Sequence, residues 1–178
     1  MEKLVLVRPT EELREAALDY KEEHLRQGEM VLHGSALFDS MEFEPWLKLT
    51  QENALGQTVR PDWVQASTFF VFRQSDGRLV GMVDIRHELN AFLAAYGGHI
   101  GYGVRPSERQ KGYATQMLRM ALDFARSIGL RQVMVACYKE NEASRRTILK
   151  CDGAFEREFI HTDGKAVEVY WLETGERA

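Results

Sequence analysis

Between His99 and Thr115 the chain reads HIGYGVRPSERQKGYAT, and few folds accommodate that run. Its first part is β-prone and stops at Pro106, which cannot donate to a ladder. Gly101 and Gly103 inside this strand predict a bulge or a close approach of other backbone. From Gly112 to Ser127 apolar residues recur at helical spacing (Ala114, Leu118, Ala121, Leu122, Ala125, Ile128), and Gly129 closes the helix. A strand that enters a helix through a tight turn brings about half a positive charge and several free N–H groups to the strand's end. Arg109 and Lys111 add full charges beside them, and Gly112 removes the side chain that would hold an anion off. The turn Arg109-Gln110-Lys111-Gly112-Tyr113-Ala114 and the following Thr115 are therefore predicted to cradle a pyrophosphate.

Other phosphate loops do not fit. The chain lacks a Gly-x-x-x-x-Gly-Lys-Ser/Thr run, and this turn has one glycine where a dinucleotide fingerprint needs three. The net charge of −4 argues against a nucleic-acid partner, so the basic turn is a local exception on an acidic chain. No apolar run approaches the ~18 residues of a membrane span, and MEKLVLVRPTEE lacks the apolar core of a signal peptide. Cys137 and Cys151 read as buried reduced thiols. The five histidines are scattered, so no metal site is expected. The expected address is the cytoplasm, and a second copy of the chain stays open as a partner.

Without repeats or linkers, residues 1–178 are read as one domain. Lys3–Arg8 starts as a strand. Thr10 is placed to cap a helix to Gln27, carrying Leu13, Ala16, Ala17, Tyr20 and His24 on one face. Met41–Leu55 forms a second helix with Phe43, Trp46, Leu47 and Leu49. The period then changes to two: Ser67–Arg73, a turn at Ser75-Asp76-Gly77-Arg78, and Leu79–His87 form a hairpin. Asn90–Gly98 loops to the strand His99–Val104. After the helix from Gly112, the apolar run Gln132–Tyr138 is a covered strand. Asn141–Cys151 is a short helix, and Phe155–Ile160 pairs with Val167–Leu172 across Thr162-Asp163-Gly164-Lys165.

The turn matches Arg/Gln-x-x-Gly-x-Gly/Ala. With Asn141 placed three residues beyond an apolar strand, the chain resembles the GNAT superfamily of N-acetyltransferases along nearly its whole length. The segments Ile85–Asn90, Tyr96–Tyr102 and Arg105–Arg109 look like a bacterial subgroup of predicted acetyltransferases with no substrate assigned to it as a class. The resemblance implies an α/β (α+β) fold, with a mixed, mostly antiparallel sheet of about six to seven strands flanked by about four helices. It implies acetyl-CoA as co-substrate and an amine as acceptor, with Asn141 and Ser144 on the pantetheine arm. It also places pantetheine amides against Gly103 and Val104, with an N–H near Val104 as oxyanion donor.

Many relatives carry a tyrosine seven residues after the asparagine to protonate the leaving sulfur, and here that position is Ile148. A thiolate with a conjugate pKa of about 8.5 leaves near neutral pH with modest help, so the loss is expected to cost about one to three powers of ten. Ile148 also keeps open a second reading, a non-catalytic acyl-CoA sensor. The amine needs a base. His87, Glu88, His99 and Tyr102 are the candidates on the cleft strands, with His99 preferred and Glu88 second. His99 also suits a simpler role, bonding backbone at the loop's end. Phe38, Phe43, Trp46, Trp63, Phe92 and Tyr96 are either core or walls of an acceptor pocket.

Overall fold

A computed structural model describes residues 2–175. The strands are β1 (Leu4–Val7), β2 (Ala66–Arg73), β3 (Arg78–Arg86), β4 (Ile100–Val104), β5 (Gln132–Tyr138), β6 (Ala154–Ile160) and β7 (Ala166–Glu173). The α-helices are α1 (Arg14–Arg26), α2 (Phe43–Ala54), α3 (Tyr113–Ser127) and α4 (Glu142–Lys150). The hydrogen-bonded strands form two sheets, ordered β1-β2-β3-β4 and β5-β7-β6, and every pairing within them is antiparallel.

Both faces of the four-stranded sheet are buried, and β2 shows why. Phe69 and Val71 point to one side, where Met117, Leu118, Ala121 and Ala125 of α3 pack. Phe70 points to the other, among Ala17, Tyr20, Phe38, Phe43 and Trp46. A strand with period two and no polar face has to be covered twice. The core beneath α3 is continuous across the two sheets, since Val83 and Ile100 share a cluster with Val133, Val135, Tyr170 and Leu172. On the opposite side Trp46 stacks on Phe70 at 5.6 Å, and its indole N–H donates to the Ser35 carbonyl at 2.7 Å. Phe38, Phe43 and Trp46 are thus core, not pocket walls.

Three local expectations change. Thr10 makes no side-chain cap, and a 3-10 turn at Glu11–Leu13 precedes α1. Residues Asn90–Gly98 are not plain loop, because Leu93–Gly97 winds into a π-helical turn. The Asn90 side chain caps it by accepting from the Leu93 N–H at 2.9 Å. The buried face of α3 includes Tyr113 and Met117, while Ile128 is exposed.

Ile148 is fully buried, and a Cβ on Gly153 would lie 2.4 Å from its Cγ2. Because many relatives carry a tyrosine at this position, the chain alone leads one to expect that Ile148→Tyr is tolerated and supplies a proton donor. The structure reverses that expectation, because a phenol has no room beside α3 and Gly153. Overpacking of this kind costs about 1–3 kcal/mol. Ile148→Tyr should lower the urea midpoint with no gain in turnover, and a stable variant with faster thiol release would restore the acid role.

Candidate active site

His99 hydrogen-bonds the backbone of one sheet to the other. Its N–H donates to the Met134 carbonyl at 2.7 Å, and the Met134 N–H donates to its Nδ1 at 2.9 Å. Beside it Gly98, at φ +69°, bridges Val135, and any Cβ there would lie 2.5 Å from the Met134 oxygen. Beyond this clasp β4 and β5 diverge, and both line a cleft of about 1140 Å³.

His99 is therefore a clasp and not a cleft base. It is buried, does not line the cleft, and burial with the nearby Arg86 charge pushes its pKa down to about 4. A neutral ring with unprotonated Nδ1 suits an acceptor of the Met134 N–H. Glu88 is exposed but lies outside the cleft, and His87 turns away to meet Ser67 Oγ at 2.9 Å. Neither preferred base reaches the site.

The register of β4 decides which backbone groups are free. The Arg86 N–H donates to the His99 carbonyl and the Arg105 N–H to the Val80 carbonyl, so residues 99, 101, 103 and 105 bond to β3. Alternation leaves the N–H and C=O of Ile100, Tyr102 and Val104 on the edge facing β5. Val104 thus turns its N–H to the edge facing β5, whereas Gly103 directs its backbone to Met82. The glycines of β4 make room for the chain itself: a Cβ on Gly103 would lie 2.6 Å from the His33 carbonyl, and Gly101 packs on Gly34.

The turn from Arg109 to Thr115 follows the end of β4. Gln110 (φ +63°) and Gly112 (φ +81°) are both left-handed, which turns successive N–H groups toward one concavity. Among the described residues, no acceptor meets the N–H groups from Gln110 to Thr115. The side chains behave differently from the sequence reading. Both ends of the Arg109 guanidinium pair with Glu29 on the α1–α2 connection, at 2.5 and 2.7 Å, and its Nε donates to the Val104 carbonyl. Arg109 and His24 hold the Glu29 carboxyl down to about 2. Lys111 does not line the cleft; its ammonium meets Glu108, which Arg73 and Arg78 also contact. Tyr113 is buried with its hydroxyl against Arg73, so it offers the cleft only backbone. Ala114 and Thr115 line the cleft.

Across the cleft Asn141 caps α4, its Oδ1 accepting the Ser144 N–H at 3.1 Å. The Ser144 hydroxyl meets the Tyr102 phenol at 2.9 Å. Burial raises the Tyr102 pKa well above the usual phenol range, so it stays a neutral donor. This pair faces the space that the Ile148 side chain does not reach. Strand alternation put Tyr102 opposite the glycines, but its partner, 42 residues away in sequence, could not be read from the chain. Cys137 also lines the cleft, and burial pushes its thiol up to about 11, too high for a resident thiolate.

The other half of the cleft is walled by Met30, Val31, His33 and Gly34, by Arg86, and by the rings of Tyr96, Tyr138 and His161. The His161 ring stands 5.9 Å from Tyr96 and 6.1 Å from Tyr138. Of the aromatic candidates for this wall, only Tyr96 is in it; Phe92 and Trp63 lie outside. Among the described residues no group of His, Cys, Asp or Glu could hold a metal ion, and no helix is long and apolar enough to cross a membrane.

Residues 35–152 match the acetyltransferase (GNAT) family. No curated protein sequence matches the chain. Solved structures of the same fold include the microcin self-immunity acetyltransferase MccE in complex with acetyl-CoA and AMP. It is 14% identical with a TM-score of 0.70, over 97% of this chain and 93% of that one. The ribosomal-protein acetyltransferase RimL, in complex with coenzyme A, is 18% identical with a TM-score of 0.69, covering 96% and 93%. Mutant forms of the spermidine/spermine N-acetyltransferase SpeG from Vibrio cholerae are 17% identical with a TM-score of 0.65, covering 96% and 94%.

Proposed function

The chain belongs to the acetyltransferase (GNAT) family, and from that premise we propose that it moves the acetyl group of acetyl-CoA directly to a primary amine of a small molecule or peptide. The observation that carries this reading is the joint opening of two donor sets onto one cleft, the free N–H groups of the 110–115 turn and the free edge of β4. A pyrophosphate satisfies the first set, and pantetheine amides satisfy the second as an added strand would. Asn141 stands at the opposite wall, where it and Ser144 would flank the pantetheine arm.

The amine nitrogen attacks the thioester carbonyl carbon, and the Val104 N–H takes the charge that gathers on the carbonyl oxygen. The C–S bond then breaks and the sulfur leaves as thiolate. The Ser144–Tyr102 pair supplies hydroxyl donors to that sulfur, a task that Ile148 cannot perform. The attacking nitrogen must first lose a proton. His33, exposed and lining the cleft, is an imidazole available for that task. Two free, buried cysteines accord with a reducing cytoplasm.

Mixed with acetyl-CoA and a panel of primary amines, the protein should release free thiol, faster as pH rises through the titration of the base. Acetyl-CoA binding without turnover of any amine or peptide would leave the sensor reading in its place.

A further inference from the structure

We propose that Arg86 is a carboxylate-binding residue and that the acceptor is a small primary amine bearing a carboxylate; this deepens, and rests on, the acetyl-transfer reading. Arg86 ends β3 and lines the acceptor half of the cleft. Its Nη1 lies 3.7 Å from where a Gly101 Cβ would stand, so the guanidinium sits against the middle of β4, beside Gly34. Asp84, buried on the same face of β3, takes the Nε side at 3.2 Å. Asp84 also accepts the Thr68 hydroxyl at 2.8 Å, so its charge is shared. Nη1 reaches the Gly98 carbonyl only at 3.4 Å, and Nη2 makes no hydrogen bond among the described residues. The group is thus oriented from behind by Asp84 and offers its Nη1–Nη2 end, the geometry that takes a carboxylate with two parallel hydrogen bonds.

The remaining charges of the cleft support an anionic acceptor over a polycationic one. Glu29 is held by Arg109 and His24, Glu108 by Arg73, Arg78 and Lys111, and Glu142 by Arg146. Every cleft carboxylate already has a cation, so a second ammonium on the acceptor would find no free anion there. Length narrows the class further. At a rise of about 3.3 Å per residue, Gly101 and Val104 stand roughly 10 Å apart along β4. Subtracting hydrogen-bond and attack distances at the two ends leaves about 3–4 Å between amine and carboxylate. That is the span of a short amino carboxylate.

The test uses the full chain with ω-amino carboxylates from glycine to 6-aminohexanoate, each beside its carboxamide. In the wild-type protein, kcat/KM should favour the carboxylate by about 10–100-fold, with an optimum among the shorter chains. Arg86→Gln should erase that preference while acetyl-CoA affinity, measured by calorimetry, stays unchanged. If Arg86→Gln fails to fold, the wild-type comparison alone decides. Turnover of amines without a carboxylate preference, or a preference that survives in Arg86→Gln, overturns this inference and leaves acetyl transfer standing. Acetyl-CoA binding with no turnover of any amine overturns acetyl transfer, and this inference with it.

Discussion

Replacing His99 with alanine should destabilise the fold by about 3 kcal/mol or more, because the truncation strands a buried N–H and leaves a hole. The Met134 N–H loses its acceptor at the junction where His99 hydrogen-bonds one sheet to the other. The pH dependence identifies the cause. In the folded chain the imidazole pKa is held at about 4, below its ordinary value of about 6.5. A depressed pKa gives stability that is present above the unfolded value and lost as pH falls from about 6.5 through 4. Urea melts should therefore show a larger gap between wild type and His99→Ala at pH 7 than at pH 4. A gap of equal size at both would mean that the ring packs without acting as the acceptor. Turnover by the folded fraction should keep its pH profile, since His99 does not reach the cleft.

Gly112→Glu should weaken acetyl-CoA binding at least 100-fold. Gly112 sits at φ +81°, and a Cβ there meets nothing within 4 Å, so the space beside it is open. A side chain at this position pays only for the left-handed conformation, about 1–2 kcal/mol, and its carboxylate occupies the concavity of free N–H groups. Gly112→Ala carries the same backbone cost without the charge, and calorimetry should place its affinity between the other two. Wild-type affinity in Gly112→Glu would remove the pyrophosphate from this turn.

Much of this was legible in the chain because it is local. The run Gln132–Tyr138 forms β5 with those bounds, and Phe43, Trp46, Leu47 and Leu49 give α2 its buried face. The turn from Gln110 to Thr115 could be read because its free N–H groups belong to consecutive residues. What sequence could not supply is partnership over distance. Arg109 is matched by Glu29, 80 residues earlier, and the acceptor of the Met134 N–H lies 35 residues before it. The glycines of β4 were read as a bulge or a close approach of other backbone, and that approach is made, but periodicity alone cannot show that the approaching residues are His33 and Gly34. Ile148 occupied a catalytic position by counting, yet the turn of α4 that carries it packs inward.

The divergence of β4 and β5 also bears on how the protein avoids sticking to itself. A sheet that ends in unpaired N–H and C=O groups invites strands from other molecules. Here two such edges face each other inside one cleft, shielded by α4 and by the Gly28–Gly34 connection. The outward edges are defended by other means: β1 is only four residues long, and β6 carries Glu156, Arg157 and Glu158 at its centre. The same inward turn that leaves an edge free for a cosubstrate hides that edge from a neighbouring chain.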